Sequence, residues 1–211
     1  MTRVLVTGFE PFDGRAANAS WEAVTVLAAG WDRADELAVV RLPVSFDRGP
    51  RVLRAALHEH RPDVVVCVGE AVGRAAVGLE RAAVNVVDAR IPDADGAAPV
   101  DVAVVDGGPA AYFSTLPLKR ALVEVGRDGT PVEVSQTAGT YVCNATFYAL
   151  MHATRGTGTR AGFVHVPGSP DQVPPGTAAL EPAASARALG RVVATACSGV
   201  ADVVLAAGAE A

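Results

Sequence analysis

Residues 48–69 read RGPRVLRAALHEHRPDVVVCVG and contain the two patterns that decide the fold. Apolar residues recur at a spacing near 3.6 from Arg48 to His60, which predicts a helix, and Pro62 stops it. The run 64–68 is continuously apolar rather than alternating, which is typical of strands covered on both faces in a parallel sheet. A helix followed by such a strand indicates an α/β fold.

The same alternation extends along most of the chain. Further strands are predicted at 4–7, 38–42, 83–88 and 162–166, and further helices at 20–29, 113–126, 143–154 and 185–198. We therefore expect one domain over residues 1–211, a three-layer α/β/α sandwich with a twisted, mixed but mostly parallel central sheet. The tail from residue 201 is expected to be either a last strand or partly disordered.

The composition excludes several classes of partner. The formal net charge is -5 and no Lys/Arg cluster offsets it, so nucleic acid is not an expected partner. No apolar run approaches the roughly 20 residues of a membrane span, and the N-terminal residues lack the apolar core of a signal peptide. Three cysteines without the close spacings of disulfide or metal frameworks predict free thiols in the cytoplasm, and the absence of CxxC and HExxH spacings predicts no metal site and no cofactor.

Cys143 is the strongest candidate nucleophile. Its motif, SQTAGTYVCNATFYALMHA at 135–153, places the thiol at or near a helix N-terminus, where the dipole and an imidazolium can lower a thiol pKa. The alternative is a small buried hydrophobe, the commoner fate of a cysteine. Cys67, inside a buried strand, and Cys197, in the last helix, are expected to be packing residues, and the apolar surround of Cys67 is expected to raise its pKa.

His165 ends the strand GFVHV, and strand ends in α/β sheets are where functional sites gather. It is a candidate general base toward a cysteine on another element, or else a core histidine bonded to the backbone. Its three rivals are weaker: His58 and His60 lie on a charged helix, and His152 lies two and a half turns after the cysteine.

Two further groups are candidates for the same site. Glu80 either orients the histidine, as the third member of a triad does, or is a surface carboxylate. Arg90 either stabilises an oxyanion together with the backbone N–H of the cysteine or pairs with a neighbouring aspartate, Asp88 or Asp93. Phe9 and Phe12, in GFEPFDG, are predicted on a loop. They either sandwich a small planar ring ligand or pack beneath the loop that carries them.

Seven motifs together resemble one family and occur in its order. They are TGFEPFDG, NASWEAV, LPVSF, ERAAVNVVDARIPD, YFSTLP, SQTAGTYVCN and GFVHVP, spanning roughly residues 3–172. They look like pyroglutamyl-peptidase I, a family of cysteine peptidases also called pyrrolidone-carboxylate peptidases. The resemblance implies removal of N-terminal pyroglutamate (5-oxoproline) from peptides through a thioester acyl-enzyme, by a homotetramer that needs no cofactor.

The resemblance also assigns roles residue by residue. It implies that Cys143 is the nucleophile, His165 the base and Glu80 the orienting acid, with Arg90 at the oxyanion. The residues that it places around the pyroglutamate ring are Phe9, Phe12, Asn18, Glu70 and Val142.

The chain departs from the family's usual pattern at three places near the expected pocket. Asp13 stands where a glycine is common, residues 70–72 read EAV, and Gly168 and Ser169 follow HVP in place of a bulky pair. Two alternative functions therefore stay open. One is a related Cys/His/Glu amidase acting on another cyclic amide, and the other is a non-catalytic α/β domain that binds a small ligand.

Overall fold

The computed structural model describes residues 1–208, which form eight strands and five helices. The strands are β1 Arg3–Phe9, β2 Glu36–Leu42, β3 Val64–Glu70, β4 Val77–Glu80, β5 Ala82–Val84, β6 Ala111–Phe113, β7 Val132–Ser135 and β8 Arg160–Val166. The helices are α1 Ala19–Ala29, α2 Arg48–His60, α3 Leu118–Gly126, α4 Val142–Thr154 and α5 Pro182–Cys197. No helix within these residues is both long and apolar enough to cross a membrane.

Six strands form the central sheet in the order β2-β1-β3-β8-β4-β7. The first four are parallel to one another, β4 runs antiparallel to β8, and β7 pairs in parallel with β4. The predicted mixed, mostly parallel sheet is therefore confirmed. β5 and β6 form a separate two-stranded antiparallel sheet.

The position of β3 between two layers of helices explains why its sequence is continuously apolar. Val64, Val66 and Val68 face the core beneath α1, α3 and α5, whereas Val65 and Cys67 face the core beneath α2 and α4. All five side chains are 2% exposed or less, and each buried valine contributes roughly 1.5 kcal/mol or more of hydrophobic stabilisation. Helices on both faces of the sheet confirm the three-layer α/β/α arrangement.

The predicted strand at 83–88 is shorter in the structure, where β5 covers Ala82–Val84. From Val84 onward the Asn144 side chain supplies hydrogen bonds that a neighbouring strand would otherwise supply. Its Oδ1 accepts from the Val84 N–H at 3.0 Å, and its Nδ2 donates to the carbonyls of Val84 and Val86. The backbone is therefore satisfied without continuing the ladder.

The predicted helix at 113–126 is wrong at its start, because α3 begins only at Leu118. Phe113 ends β6, and the N–H groups of Ser114 and Thr115 donate to the carbonyls of Arg81 and Ala161. Pro117 then stands at the N-cap, which is compatible with a helix start because proline has no N–H to donate.

Strands β4 and β7 were not predicted from the sequence, since each has only four residues and β4 contains Gly78. In the tail, residues 201–208 form no strand, and the remainder of the expected tail element, 209–211, lies outside the described residues.

Candidate active site

The first turn of α4 carries Cys143. The helix begins at Val142 after Tyr141, whose side chain does not cap it, and its first backbone hydrogen bond runs from Ala145 N–H to the Tyr141 carbonyl. Cys143 is thus the second helical residue, one of the positions whose N–H has no partner within the helix. The thiol and this free N–H lie together at the positive end of the helix dipole.

Gly69 is the point where the thiol meets the sheet. A Cβ built on Gly69 would lie 2.9 Å from the Cys143 Sγ, so the thiol packs directly over β3. In the β3–β8 register Gly69 is the partner of His165. Gly69 comes two residues after Cys67 and His165 two residues after Phe163, and both Cys67 and Phe163 lie in the core on the α4 side of the sheet. The sheet therefore brings Cys143 and His165 to the same face, with His165 directly before Val166, the last residue of β8.

Burial and, to a smaller extent, the nearby Glu80 carboxylate together raise the pKa of the Cys143 thiol to about 12. The Arg74 guanidinium acts in the opposite direction. The lowered pKa expected from a helix N-terminus is therefore wrong, because loss of water around the sulfur raises the pKa of this thiol. The thiol is neutral at pH 7 and needs a base to become a nucleophile.

His165 and Glu80 form a buried hydrogen-bonded pair. The His165 Nδ1–H donates to Glu80 Oε1 at 2.7 Å, and the two residues are 4% and 0% exposed. Because a carboxylate accepts only, this contact fixes the tautomer and leaves Nε2 free for the thiol. The alternative of a surface carboxylate at Glu80 is excluded, because Glu80 is fully buried as the last residue of β4.

A second donor, the Arg74 guanidinium, contacts the same carboxylate, and the sequence analysis missed it. Its Nη1 donates to Glu80 Oε1 at 2.7 Å, and its Nη2 donates to the Thr137 carbonyl at 3.3 Å. Arg74 lies in the loop between β3 and β4, six residues before Glu80, a spacing that carries no periodic signal.

An open pocket of about 340 Å³ lies in front of Cys143, a volume at the lower end of the range for small-ligand sites. It is lined by all five of the predicted ring-binding residues and by Arg90. The lining residues that the sequence analysis missed are Arg15, Val44, Ile91 and Tyr141, and those noted there as departures are Asp13 and Val72.

The two phenylalanines of the first motif differ in environment. Phe9 ends β1 and is 2% exposed, packed near Phe163 with ring centroids 6.4 Å apart, so its predicted place on an exposed loop is wrong. Phe12 is partly exposed and lies 6.2 Å from the ring of Tyr141. Tyr141 therefore adds a third aromatic ring to the pocket wall, and its hydroxyl donates to the Pro92 carbonyl at 3.0 Å.

Asn18 lines the pocket and also caps α1. Its Oδ1 accepts from the Ser20 N–H at 3.0 Å and from the Ser20 hydroxyl at 2.7 Å. Its Nδ2 donates to the Glu10 carbonyl at 3.1 Å. The amide thus holds the loop that carries Phe12 against the start of the helix.

Glu70 fixes the same loop from the sheet side. It is the last residue of β3, and its Oε2 accepts from the Ala19 N–H at 3.0 Å. Its Oε1 pairs with Arg15 at 2.6 Å, although the Glu70 side chain is only 7% exposed. The carboxylate that departs from the family pattern is therefore neutralised within the chain.

Arg90 is exposed on the pocket wall. Within residues 1–208 it has no ion pair with Asp88 or Asp93, the alternative considered from sequence. Asp93 instead accepts from backbone N–H groups, among them that of Phe46 at 2.8 Å. The guanidinium is free to face a ligand.

The remaining departures lie at the pocket edge. Asp13 has a φ of 55°, the left-handed region in which glycine is the easiest residue, and it is exposed. The Ser169 hydroxyl donates to Glu22 Oε2 at 2.6 Å, which ties the chain after β8 to α1.

The other thiols and imidazoles lie away from the pocket. Burial raises the pKa of Cys67 to about 12, as predicted, and also raises the pKa of the half-buried Cys197. His152 exchanges a hydrogen bond with the Tyr112 hydroxyl at 2.9 Å. His58 lies exposed on α2.

Comparisons with known proteins agree with this site. A family model described as Pyroglutamyl peptidase matches residues 2–202. The chain is 56% identical over 173 residues to a pyrrolidone-carboxylate peptidase of Clavibacter michiganensis, covering 82% of this chain and 81% of that one. It is 47% identical over 194 residues to that of Gloeobacter violaceus, covering 90% and 95%. Its structure resembles the pyroglutamyl peptidase I of Bacillus amyloliquefaciens with a TM-score of 0.93, at 39% identity, covering 97% and 99%.

Proposed function

The chain belongs to the pyroglutamyl peptidase family, and from that premise we propose that it is a cysteine peptidase which removes N-terminal pyroglutamate from peptides. The observation that carries the proposal is the convergence of three side chains. The Cys143 thiol packs over Gly69, whose register partner His165 donates to the buried Glu80. A base oriented by an acid beside a thiol is the arrangement used in nucleophilic catalysis.

The raised pKa of the Cys143 thiol determines how the reaction starts. Because the thiol is neutral, His165 takes its proton as the Sγ attacks the carbonyl carbon of the pyroglutamyl residue. The carbonyl π electrons move to oxygen, and the resulting oxyanion faces the Cys143 N–H and the Arg90 guanidinium. Glu80 stabilises the imidazolium that forms at His165.

The second half of the reaction returns the enzyme to its starting state. His165 gives its proton to the leaving amine as the C–N bond breaks, which leaves a thioester on Cys143. Water then attacks the thioester carbonyl with His165 as its base, the C–S bond breaks, and pyroglutamate leaves as the thiol regains its proton.

Specificity for the ring is assigned to the pocket. Phe9, Phe12 and Tyr141 supply flat apolar walls near the nucleophile, which suit a five-membered lactam. The Glu70 carboxylate lines the same space but is paired with Arg15, so it does not place an unpaired charge against the neutral ring. The alternative function, an amidase for another cyclic amide, would require these same pocket residues to accept a different ring.

Three amide substrates test the proposal. We expect the purified protein to release the chromophore from a pyroglutamyl amide and to leave the prolyl and glutaminyl analogues intact. Equal cleavage of the prolyl amide would support the alternative amidase, and no cleavage of any of the three would support the non-catalytic binding domain.

We also propose that the protein is cytoplasmic and forms a tetramer of like subunits. The three free thiols suit a reducing compartment, and Phe113, 70% exposed on β6, offers an apolar contact surface. Light scattering after size-exclusion chromatography would give the mass of four chains; the mass of one chain would contradict this.

A further inference from the structure

The Glu80 carboxylate is an unusual group because it is fully buried yet depends on one oxygen for its contacts. Its Oε1 accepts from both His165 and Arg74 at 2.7 Å. Its Oε2 has no donor among residues 1–208. A buried carboxylate is costly unless it is paired, so these two donors carry the whole compensation that the protein supplies.

The two donors are not equivalent during a reaction. His165 is neutral whenever it waits to act as a base, and becomes a cation only while it holds the proton of the thiol or of water. Arg74 keeps its charge throughout, because a guanidinium does not lose its proton at any pH at which the protein works. Arg74 is therefore the permanent cation beside the carboxylate.

The structure holds the Arg74 guanidinium in place from three sides. Its Nη1 also lies 3.4 Å from the Ser135 hydroxyl on β7, and its Nη2 donates to the Thr137 carbonyl. A Cβ built on Gly78 would lie 2.7 Å from Nη1, so the glycine in β4 makes room for the cation. Arg74 is not among the residues that line the pocket, which separates it from substrate contact.

We propose that Arg74 is a positioning residue for the reaction, which keeps the buried Glu80 carboxylate charged and directed at His165 Nδ1. The inference rests on the proposed function, since it assigns a role within the Cys143–His165–Glu80 set. Arg74 acts on His165 through Glu80 and makes no hydrogen bond to Cys143 or His165.

Loss of the Arg74 guanidinium should change the pH dependence of kcat/KM. The titratable groups next to this cluster are His165 from β8 and Cys143 from α4, and Glu70 at the end of β3 and Cys67 in turn act on the Cys143 thiol. Without the guanidinium, the carboxylate holds a proton more tightly and so does the imidazole, because each has lost a nearby positive charge. Both changes move the acid limb of the kcat/KM profile to higher pH.

Arg74→Met tests the proposal, because methionine keeps much of the side-chain length and removes the charge. We expect kcat/KM for a pyroglutamyl amide to fall about 10- to 100-fold at neutral pH, as for other residues that orient a catalytic group, with little change in KM. The acid limb should move to higher pH, and Arg74→Lys should restore part of the loss.

Arg81→Met is the matched control. Arg81 directly follows Glu80, but its guanidinium donates to Gln136 Oε1 and to the Ala207 carbonyl instead. We expect its profile to keep the wild-type acid limb. A purely structural defect in Arg74→Met would lower the amplitude of the profile without moving the limb, and that result would overturn the proposal.

A double-mutant cycle tests whether Arg74 acts through the carboxylate. In the Glu80→Gln background, Arg74→Met should cost about 2-fold or less, because the carboxylate that Arg74 serves is gone. Full additivity of the two losses would overturn the proposal. If Arg74→Met does not fold, the acid limb of Arg74→Lys decides the matter in the same way. The wild-type protein separates the two claims: if it fails to cleave the pyroglutamyl amide, the proposed function fails, whereas a normal profile in the Arg74 variants overturns this inference alone.

Discussion

Replacement of Gly69 by alanine would place a methyl group between the sheet and the nucleophile. The added Cβ would lie 2.9 Å from the Cys143 Sγ and 2.9 Å from two ring carbons of Phe163. Comfortable separation between carbon atoms is about 3.5–4.0 Å, so the thiol, the ring or both must move by roughly 0.6–1.1 Å. The Phe163 ring is fully buried, which leaves the partly exposed thiol as the group freer to move.

A displacement of about 1 Å at a reacting group can lower the rate on the order of 100-fold. We therefore expect Gly69→Ala to reduce kcat/KM for a pyroglutamyl amide by about that factor, measured in steady state on protein whose folding is checked by circular dichroism. Overpacking should also lower the free energy of unfolding by about 1–3 kcal/mol.

Gly162→Ala is the control for overpacking alone. Gly162 lies on β8, and its Cβ would meet Ser114 and Leu116 on the opposite face of the sheet from the thiol. Because the approach at Gly162 is tighter than at Gly69, we expect at least as large a loss of stability, with near wild-type turnover per folded molecule. If Gly69→Ala folds and turns over at the wild-type rate, the thiol does not react from the position described above, and the reasoning is refuted.

Three further substitutions test the pocket wall, the helix cap and a buried thiol. Phe12→Ala should raise KM about 2- to 12-fold, equivalent to roughly 0.5–1.5 kcal/mol of lost aromatic contact, with kcat nearly unchanged; an unaltered KM would remove Phe12 from the pocket. Asn18→Ala should cost about 1 kcal/mol in urea unfolding, whereas Asn18→Asp keeps the acceptor for the Ser20 N–H and should lose less; equal losses would contradict the cap. Burial raises the pKa of Cys67 from 9.0 to about 12, so between these pH values the folded protein keeps the thiol proton while the unfolded chain loses it. The contribution of this group to the free energy of unfolding is therefore fully present below pH 9 and falls by up to about 1.4 kcal/mol per pH unit as the pH rises toward 12. Cys67→Ala should make the decline in stability above pH 9 less steep, and an identical slope in both proteins would contradict the assignment.

The layers of the fold could be predicted because they depend on local patterns. The helix Arg48–His60 has the bounds expected from its apolar spacing, and the apolar run at 64–68 falls within β3, with both faces covered. Strands β4 and β7 could not be predicted, because four-residue strands gain their stability from neighbours that are remote in sequence. The shortened β5 depends in the same way on a side chain 60 residues away, Asn144.

The site could be predicted in part for the same reason. A cysteine at a helix start and a histidine at a strand end are local signals, and both residues lie at the site. Glu80 could be assigned only by family resemblance, and Arg74 not at all, because their contact joins a loop to a strand end. The raised pKa of the thiol depends on burial against β3, which exists only in the folded chain.

The most direct test of the central claim is turnover of a pyroglutamyl amide by Cys143→Ala, prepared beside Cys67→Ala. Cys67 is buried in the core cluster against which the partly buried Cys143 packs, so a general effect of removing a sulfur from this region would appear in both variants. We expect no detectable turnover from Cys143→Ala and near wild-type turnover from Cys67→Ala. Sustained release of pyroglutamate by purified, folded Cys143→Ala would contradict the account.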